Sequence, residues 1–151
     1  MFDRLEKVIV NFLGGSLVFL VLLTSAQVVM RYVFDSPLTW AEEFIGVVMI
    51  YFGLIGGSWG IRRGIHIALE VFVERFMRFL KGFTRWLEVF VYFAMGLFEI
   101  IFGVKIMLLT QYQILPATGI KVSYTYAALP IAGALMISFS VEALVKTIRE
   151  R

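Results

Sequence analysis

The chain has 151 residues, no cysteine and a formal net charge of +3, and 60% of it is hydrophobic, with a mean hydropathy of +0.89. Soluble domains are roughly 45–50% apolar, and a chain of this length has too little interior to hide the excess. Without cysteine there are no disulfides, thiol chemistry or thiolate metal centres, and basic residues that flank apolar runs without forming an aromatic-interleaved stripe argue against nucleic acid.

The first apolar run covers residues 8–33. It follows Asp3, Arg4, Glu6 and Lys7. Its length exceeds a signal-peptide core and it continues past the small-residue stretch Thr24-Ser25-Ala26, so a retained membrane helix is expected. Three further helices are expected at about 37–62, 84–111 and 122–147. Each is long enough to cross about 30 Å of hydrocarbon. The runs do not alternate as barrel strands would, and hydrocarbon tolerates only helices or closed barrels. The expected fold is an all-α integral membrane protein in which residues 1–151 form one domain of four transmembrane helices.

Between the first two helices lies Arg31-Tyr32-Val33-Phe34-Asp35-Ser36-Pro37-Leu38-Thr39-Trp40-Ala41-Glu42-Glu43. Thr39-x-x-Glu42 reads as a capping box, with Ser36-Pro37 as an alternative start one turn earlier. Trp40 suits an interfacial anchor. At about 100° per residue, Glu42 projects along a stripe of Gly46, Gly53, Gly56, Gly57 and Gly60, while Glu43 lies a quarter turn away. The two acids are therefore not one dyad. Cap formation leaves Glu43 unexplained, and the expected partner is a residue of another subunit or a basic side chain such as Arg31. Gly53-x-x-x-Gly57 and Gly56-x-x-x-Gly60 permit close helix approach, either within this chain's own bundle or against another protein.

Helix 2 ends at Arg62-Arg63-Gly64-Ile65-His66. His66 has no second histidine or cysteine with which to hold a metal. Residues 67–83 place Leu69, Phe72, Val73, Phe76, Phe79 and Leu80 at three- and four-residue spacing against charged neighbours, the pattern of an amphipathic interfacial helix. Helix 3 carries Glu99 near its middle, without a basic residue three or four positions away. Such an acid should face protein or water, as a buried structural group, a proton-relay group or a contact with a partner. Basic residues cluster before helix 1, between helices 2 and 3 and after helix 4. The positive-inside rule puts both termini in the cytoplasm.

The order Arg31-Tyr32-x-Phe34, Leu38-x-Trp40-x-Glu42-Glu43, a glycine-bearing helix ending Arg62-Arg63-Gly64-x-His66-Ile67, and then Leu115-Pro116-Ala117-x-Gly119-Ile120 with Tyr126 and Pro130 resembles the small membrane subunit of tripartite ATP-independent periplasmic (TRAP) transporters. Lys121 departs from that pattern where such sequences often carry proline, as does the proline-free 66–85 segment. The resemblance implies a non-enzymatic scaffold component of a sodium-coupled symporter in a bacterial or archaeal cytoplasmic membrane. Its partners would be a large membrane subunit, which holds the sodium, and a periplasmic protein that delivers an organic acid. This chain would then bind no cofactor, metal or substrate, and Arg31, Trp40, Glu42, Glu43, Gly53, Gly57, Gly60, Arg62 and His66 would be structural or interface residues. Two rivals make different use of the residues: an autonomous proton-coupled transporter built on Glu99, and a small membrane enzyme, for which no convergent polar set is evident.

Overall fold

A computed structural model describes residues 2–62 and 81–149. Five helices follow in order: α1 (Phe2–Tyr32), α2 (Thr39–Arg62), α3 (Lys81–Leu109), the short α4 (Val122–Tyr126) and α5 (Ala128–Arg149). Among the described residues, four stretches are long and apolar enough to span a membrane: Arg4–Tyr32, Thr39–Arg62, Trp86–Leu109 and Val122–Val145. The described residues contain no strand, only an isolated bridge between Ile114 and Lys121. The amphipathic segment expected at 67–83 lies outside the described residues, except that 81–83 already belong to α3.

Local chemistry sets the helix limits. α1 ends through Val33 N–H to Val29 O at 2.8 Å and Ser36 N–H to Met30 O at 3.0 Å, with Asp35 in the left-handed region at φ 47°. Aspartate is among the few non-glycine residues that tolerate that conformation. α2 starts at Thr39, two residues after the proline start that Ser36-Pro37 had suggested. The final span, expected as one continuous helix, is broken at Ala127. Pro130 has no N–H with which to reach the Tyr126 carbonyl, so the ladder cannot run unbroken from α4 into α5.

The spans pack side by side in the order α1, α2, α5, α3, with α4 against the loop-side ends of α3 and α5. The tightest seam joins α3 to α5. A β-carbon on Gly133 would lie 2.5 Å from the Gly96 carbonyl oxygen, and one on Gly96 would lie 2.8 Å from the Gly133 oxygen. A second close approach seats Gly103 against Leu129 and Pro130. Ser58, buried between α2 and α5, lies 2.9 Å from Leu54 O and 3.1 Å from Ala132 O and can donate to either. Near the chain termini, Ile9, Ile55 and Phe139 join α1, α2 and α5 in a small core with Leu13, Trp59 and Leu135 around it.

Outward surfaces are apolar. Val8, Leu17, Val18, Val21 and Leu22 on α1 and Phe90, Phe98, Ile101 and Leu108 on α3 are all exposed. In water this would cost roughly 25 cal/mol per Å²; in hydrocarbon it costs nothing, which is why a thin four-span layer is stable there.

The α3–α5 seam makes a direct prediction. Gly133→Ala should destabilise the purified protein by the roughly 1–3 kcal/mol typical of overpacking. Gly57→Ala, with open space around the site, should be neutral or slightly stabilising. Thermal unfolding in detergent distinguishes these outcomes, and equal effects at the two sites would contradict the packing.

Candidate functional site

The polar side chains gather at the two ends of the bundle. At the loop end, residues 110–121 fold into a lobe held by Leu115 N–H to Ile120 O and Gly119 N–H to Leu115 O, both at 2.8 Å, and by Val122 N–H to Gln113 O at 3.0 Å. Gly119 turns at φ 70°, in the region that glycine enters without strain. This leaves the amides of Ala117 and Thr118 pointing at α2. Glu43 fills the position: its Oε1 accepts from Ala117 N–H at 2.9 Å, and its Oε2 accepts from Thr118 N–H and from the Thr118 hydroxyl, each at 2.8 Å.

Within this chain Glu43 is therefore held by the loop lobe and not by Arg31, the internal partner expected from sequence. The cause is loop geometry that no local motif announces. Arg31 pairs instead with Glu42 at 3.6 Å, and Glu42 also accepts from Gln27 Nε2 at 2.7 Å. The capping box is corrected as well: Thr39 is already the first helical residue, and the Glu42 carboxylate ties α2 to α1. Both members of the Arg31–Glu42 pair are more than half exposed, so it contributes at most about 1 kcal/mol. Trp40 stands exposed beside them, and Tyr51 donates to the Tyr124 carbonyl at 2.6 Å, fixing α4 to α2.

At the opposite end, Arg62 is a hub. Its Nη1 meets Glu6 Oε2 at 2.5 Å, while Nε and Nη2 form a fork with the Glu142 carboxylate at 2.9 and 3.1 Å. The guanidinium stands 5.7 Å from the Phe139 ring centroid, within cation–π range, and Trp59 Nε1 donates to Glu6 at 3.4 Å. Arg62 is only 10% exposed, against 18% for Glu6 and 12% for Glu142. A planar five-donor guanidinium can serve two carboxylates from separate helices at once, which an ammonium does less well. Glu6 and Glu142 were not singled out in the sequence. They lie 56 and 80 positions from Arg62, and only their shared level at the membrane ends hints at the triad.

The glycine stripe of α2 behaves differently from the α3–α5 seam. Nothing lies within 4 Å of a β-carbon built on Gly46, Gly53, Gly57 or Gly60, and Gly56 meets only Leu13 at 3.6 Å. This face is not the close contact within the bundle that its motifs permit. On its other side α2 forms an open apolar groove with α1 of about 480 Å³, lined by Phe12, Phe19, Phe44, Val47 and Tyr51. Glu99 sits in the α3–α5 seam near Gly133, and its Oε2 is buried without a hydrogen-bond partner among the described residues. No group of three or more potential metal ligands occurs among the described residues, and His66 lies outside them. This arrangement binds helices and loops together and provides surfaces; its described polar groups do not converge on a reacting centre.

The family model of the DctQ component of tripartite ATP-independent periplasmic transporters matches residues 20–150. The chain belongs to this family. As a DctQ component it is a multi-pass membrane part of a transporter, a small permease subunit rather than a member of an enzyme family. It is similar to the sialic acid TRAP transporter permease protein SiaT of Haemophilus influenzae, with 29% identity over 137 residues, or 89% of this chain and 21% of that protein. It is also similar to the C4-dicarboxylate TRAP transporter small permease protein DctQ of Vibrio cholerae, with 34% identity over 72 residues, or 48% of this chain and 30% of that protein. The DctQ component thus spans about a fifth and just under a third of the lengths of these two relatives.

In this DctQ component, removal of Arg62 would leave two largely buried carboxylates facing each other. Arg62→Ala should cost about 3–5 kcal/mol, as for other broken buried ion pairs. Arg62→Lys should fall between it and wild type because the fork to Glu142 is lost. Unfolding in detergent measures both, and wild-type stability in Arg62→Ala would show that the triad contributes little.

Proposed function

We propose that this chain is the scaffold subunit of a TRAP symporter: it braces a large membrane subunit that carries the substrate and sodium, and a periplasmic protein delivers an organic acid to the pair. The observation that carries the reading is the match to a fifth of the SiaT permease polypeptide. This chain corresponds to one stretch of that longer permease, and in this reading the remaining machinery belongs to the large membrane subunit. The division of polar groups supports the same role. Glu43, Arg62, Glu6 and Glu142 are all engaged in holding this bundle together, whereas a self-sufficient transporter would be expected to carry several polar groups at midplane.

In this reading the loop lobe and Trp40 face the periplasm and both chain ends face the cytoplasm. The open glycine face of α2 and the apolar surfaces of α1 and α3 are available to lipid and to the large subunit. Glu99 serves as a buried structural acid of the α3–α5 seam.

Affinity purification from the native membrane in mild detergent should bring a large polytopic partner with the tagged chain. Proteoliposomes holding that partner, this chain and the binding protein should take up an organic acid on a sodium gradient, and Glu99→Gln should retain uptake. Transport by this chain alone, abolished by Glu99→Gln, would overturn the reading. Because the chain lacks cysteine, Ile114→Cys gives a clean orientation probe: an impermeant maleimide should label it from the periplasmic side.

A further inference from the structure

We infer that the ionised carboxylate of Glu43 is a latch that joins the 110–121 lobe to α2, and that protonation of this one group releases the lobe. The inference concerns this chain alone and holds whether or not the transport reading does.

The argument begins with donors. Glu43 receives three hydrogen bonds, one on Oε1 from Ala117 N–H and two on Oε2 from Thr118 N–H and the Thr118 hydroxyl. Two of these donors are main-chain amides, which cannot reverse their polarity. A proton on Oε2 would compete with the Thr118 amide and hydroxyl for that oxygen's two lone pairs, and a proton on Oε1 would take its second lone pair with only donors, and no acceptor, among these groups. The site therefore accepts the anion and leaves the neutral acid without a matching acceptor. Glutamine has the same shape and fails similarly, since its NH₂ must face one of these donors.

Inside the lobe, the bonds among Gln113, Leu115, Gly119, Ile120 and Val122 are independent of Glu43. The Thr118 hydroxyl, which donates to Glu43, is also 3.5 Å from the Ile120 amide that it can accept. The lobe is thus a preformed carboxylate nest of two successive amides and a hydroxyl, occupied by a side chain of α2. Tyr51 and Tyr124 hold α4 to α2 separately, so release of Glu43 frees the lobe and leaves the helices in place.

Other charges at this end do not substitute for it. Arg31 and Glu42 pair with each other at 3.6 Å. Asp35 lies in the turn after α1, and Lys121 ends the lobe, and neither forms an ion pair with Glu43 among the described residues. Among the described residues, therefore, no cation is paired with Glu43 to keep the latch closed. The sign follows: the latch is closed when Glu43 is ionised, near neutral pH and above, and opens as pH falls through the carboxylate range.

Hydrogen exchange of the full chain in nanodiscs, normalised to intrinsic rates, tests this at the Ala117 and Thr118 amides. Hydrogen bonds to a charged group contribute enough that Glu43→Gln and Glu43→Ala should each speed exchange there by about ten- to a hundredfold, with the α3 and α5 amides unchanged. In Glu43→Ala, sodium acetate should restore protection and sodium chloride at equal ionic strength should not. The wild-type chain needs no variant: acidification should expose these two amides before it affects α3 or α5. Unchanged exchange in Glu43→Gln, persistent protection of the wild type in acid, or no rescue by acetate would each overturn the latch.

Discussion

The backbone contact between Gly96 and Gly133 sets the spacing on which the bundle depends. Hydrocarbon offers no hydrophobic driving force between helices, so α3 and α5 must gain adhesion through close van der Waals contact. A β-carbon at either glycine would enter the facing main chain. With α5 seated against α3, its other side presents the Ala132 carbonyl to Ser58 and Phe139 to Ile9 and Ile55. α2, and α1 beyond it, are built outward from that face.

Polar contacts complete what the seam begins, and they do so at the ends, where charge is least costly to keep. Arg62 draws α1, α2 and α5 together through two carboxylates near the chain termini. Glu43 closes the opposite end by binding main-chain amides of the lobe. The two differ in kind. The Arg62 fork is a charge-to-charge contact whose members are all largely buried, whereas Glu43 is a single charge that depends on fixed dipoles. Together they leave the middle of the layer to packing, with Glu99 as the one deep carboxyl among the described residues, and they leave the glycine face of α2 open.

That open face explains why motif reading succeeded only in part. Gly53-x-x-x-Gly57 and Gly56-x-x-x-Gly60 report that α2 can be approached closely, but a motif on one helix does not name the helix that approaches. The seam that closes in this chain uses Gly96, Gly103 and Gly133, isolated glycines on two helices that form no four-residue pattern. Glu43 shows the same limit. Its separation from Glu42 on the helical wheel was legible, as was its freedom from the cap, but its partners lie 74 and 75 positions away. Those partners are main-chain amides that any residue type could have supplied.

By itself the sequence determined the solvent, the number of spans, their approximate limits and the resemblance to TRAP small subunits, because hydropathy, length and short-range motifs act within one helix at a time. Tertiary structure decided which glycines touch, that Arg62 is an internal hub between Glu6 and Glu142, that Pro130 separates α4 from α5, and that Glu43 binds the loop instead of Arg31. These depend on the relative depth and rotation of helices far apart in the chain. In hydrocarbon those are set by the fit of facing surfaces, which no single segment encodes.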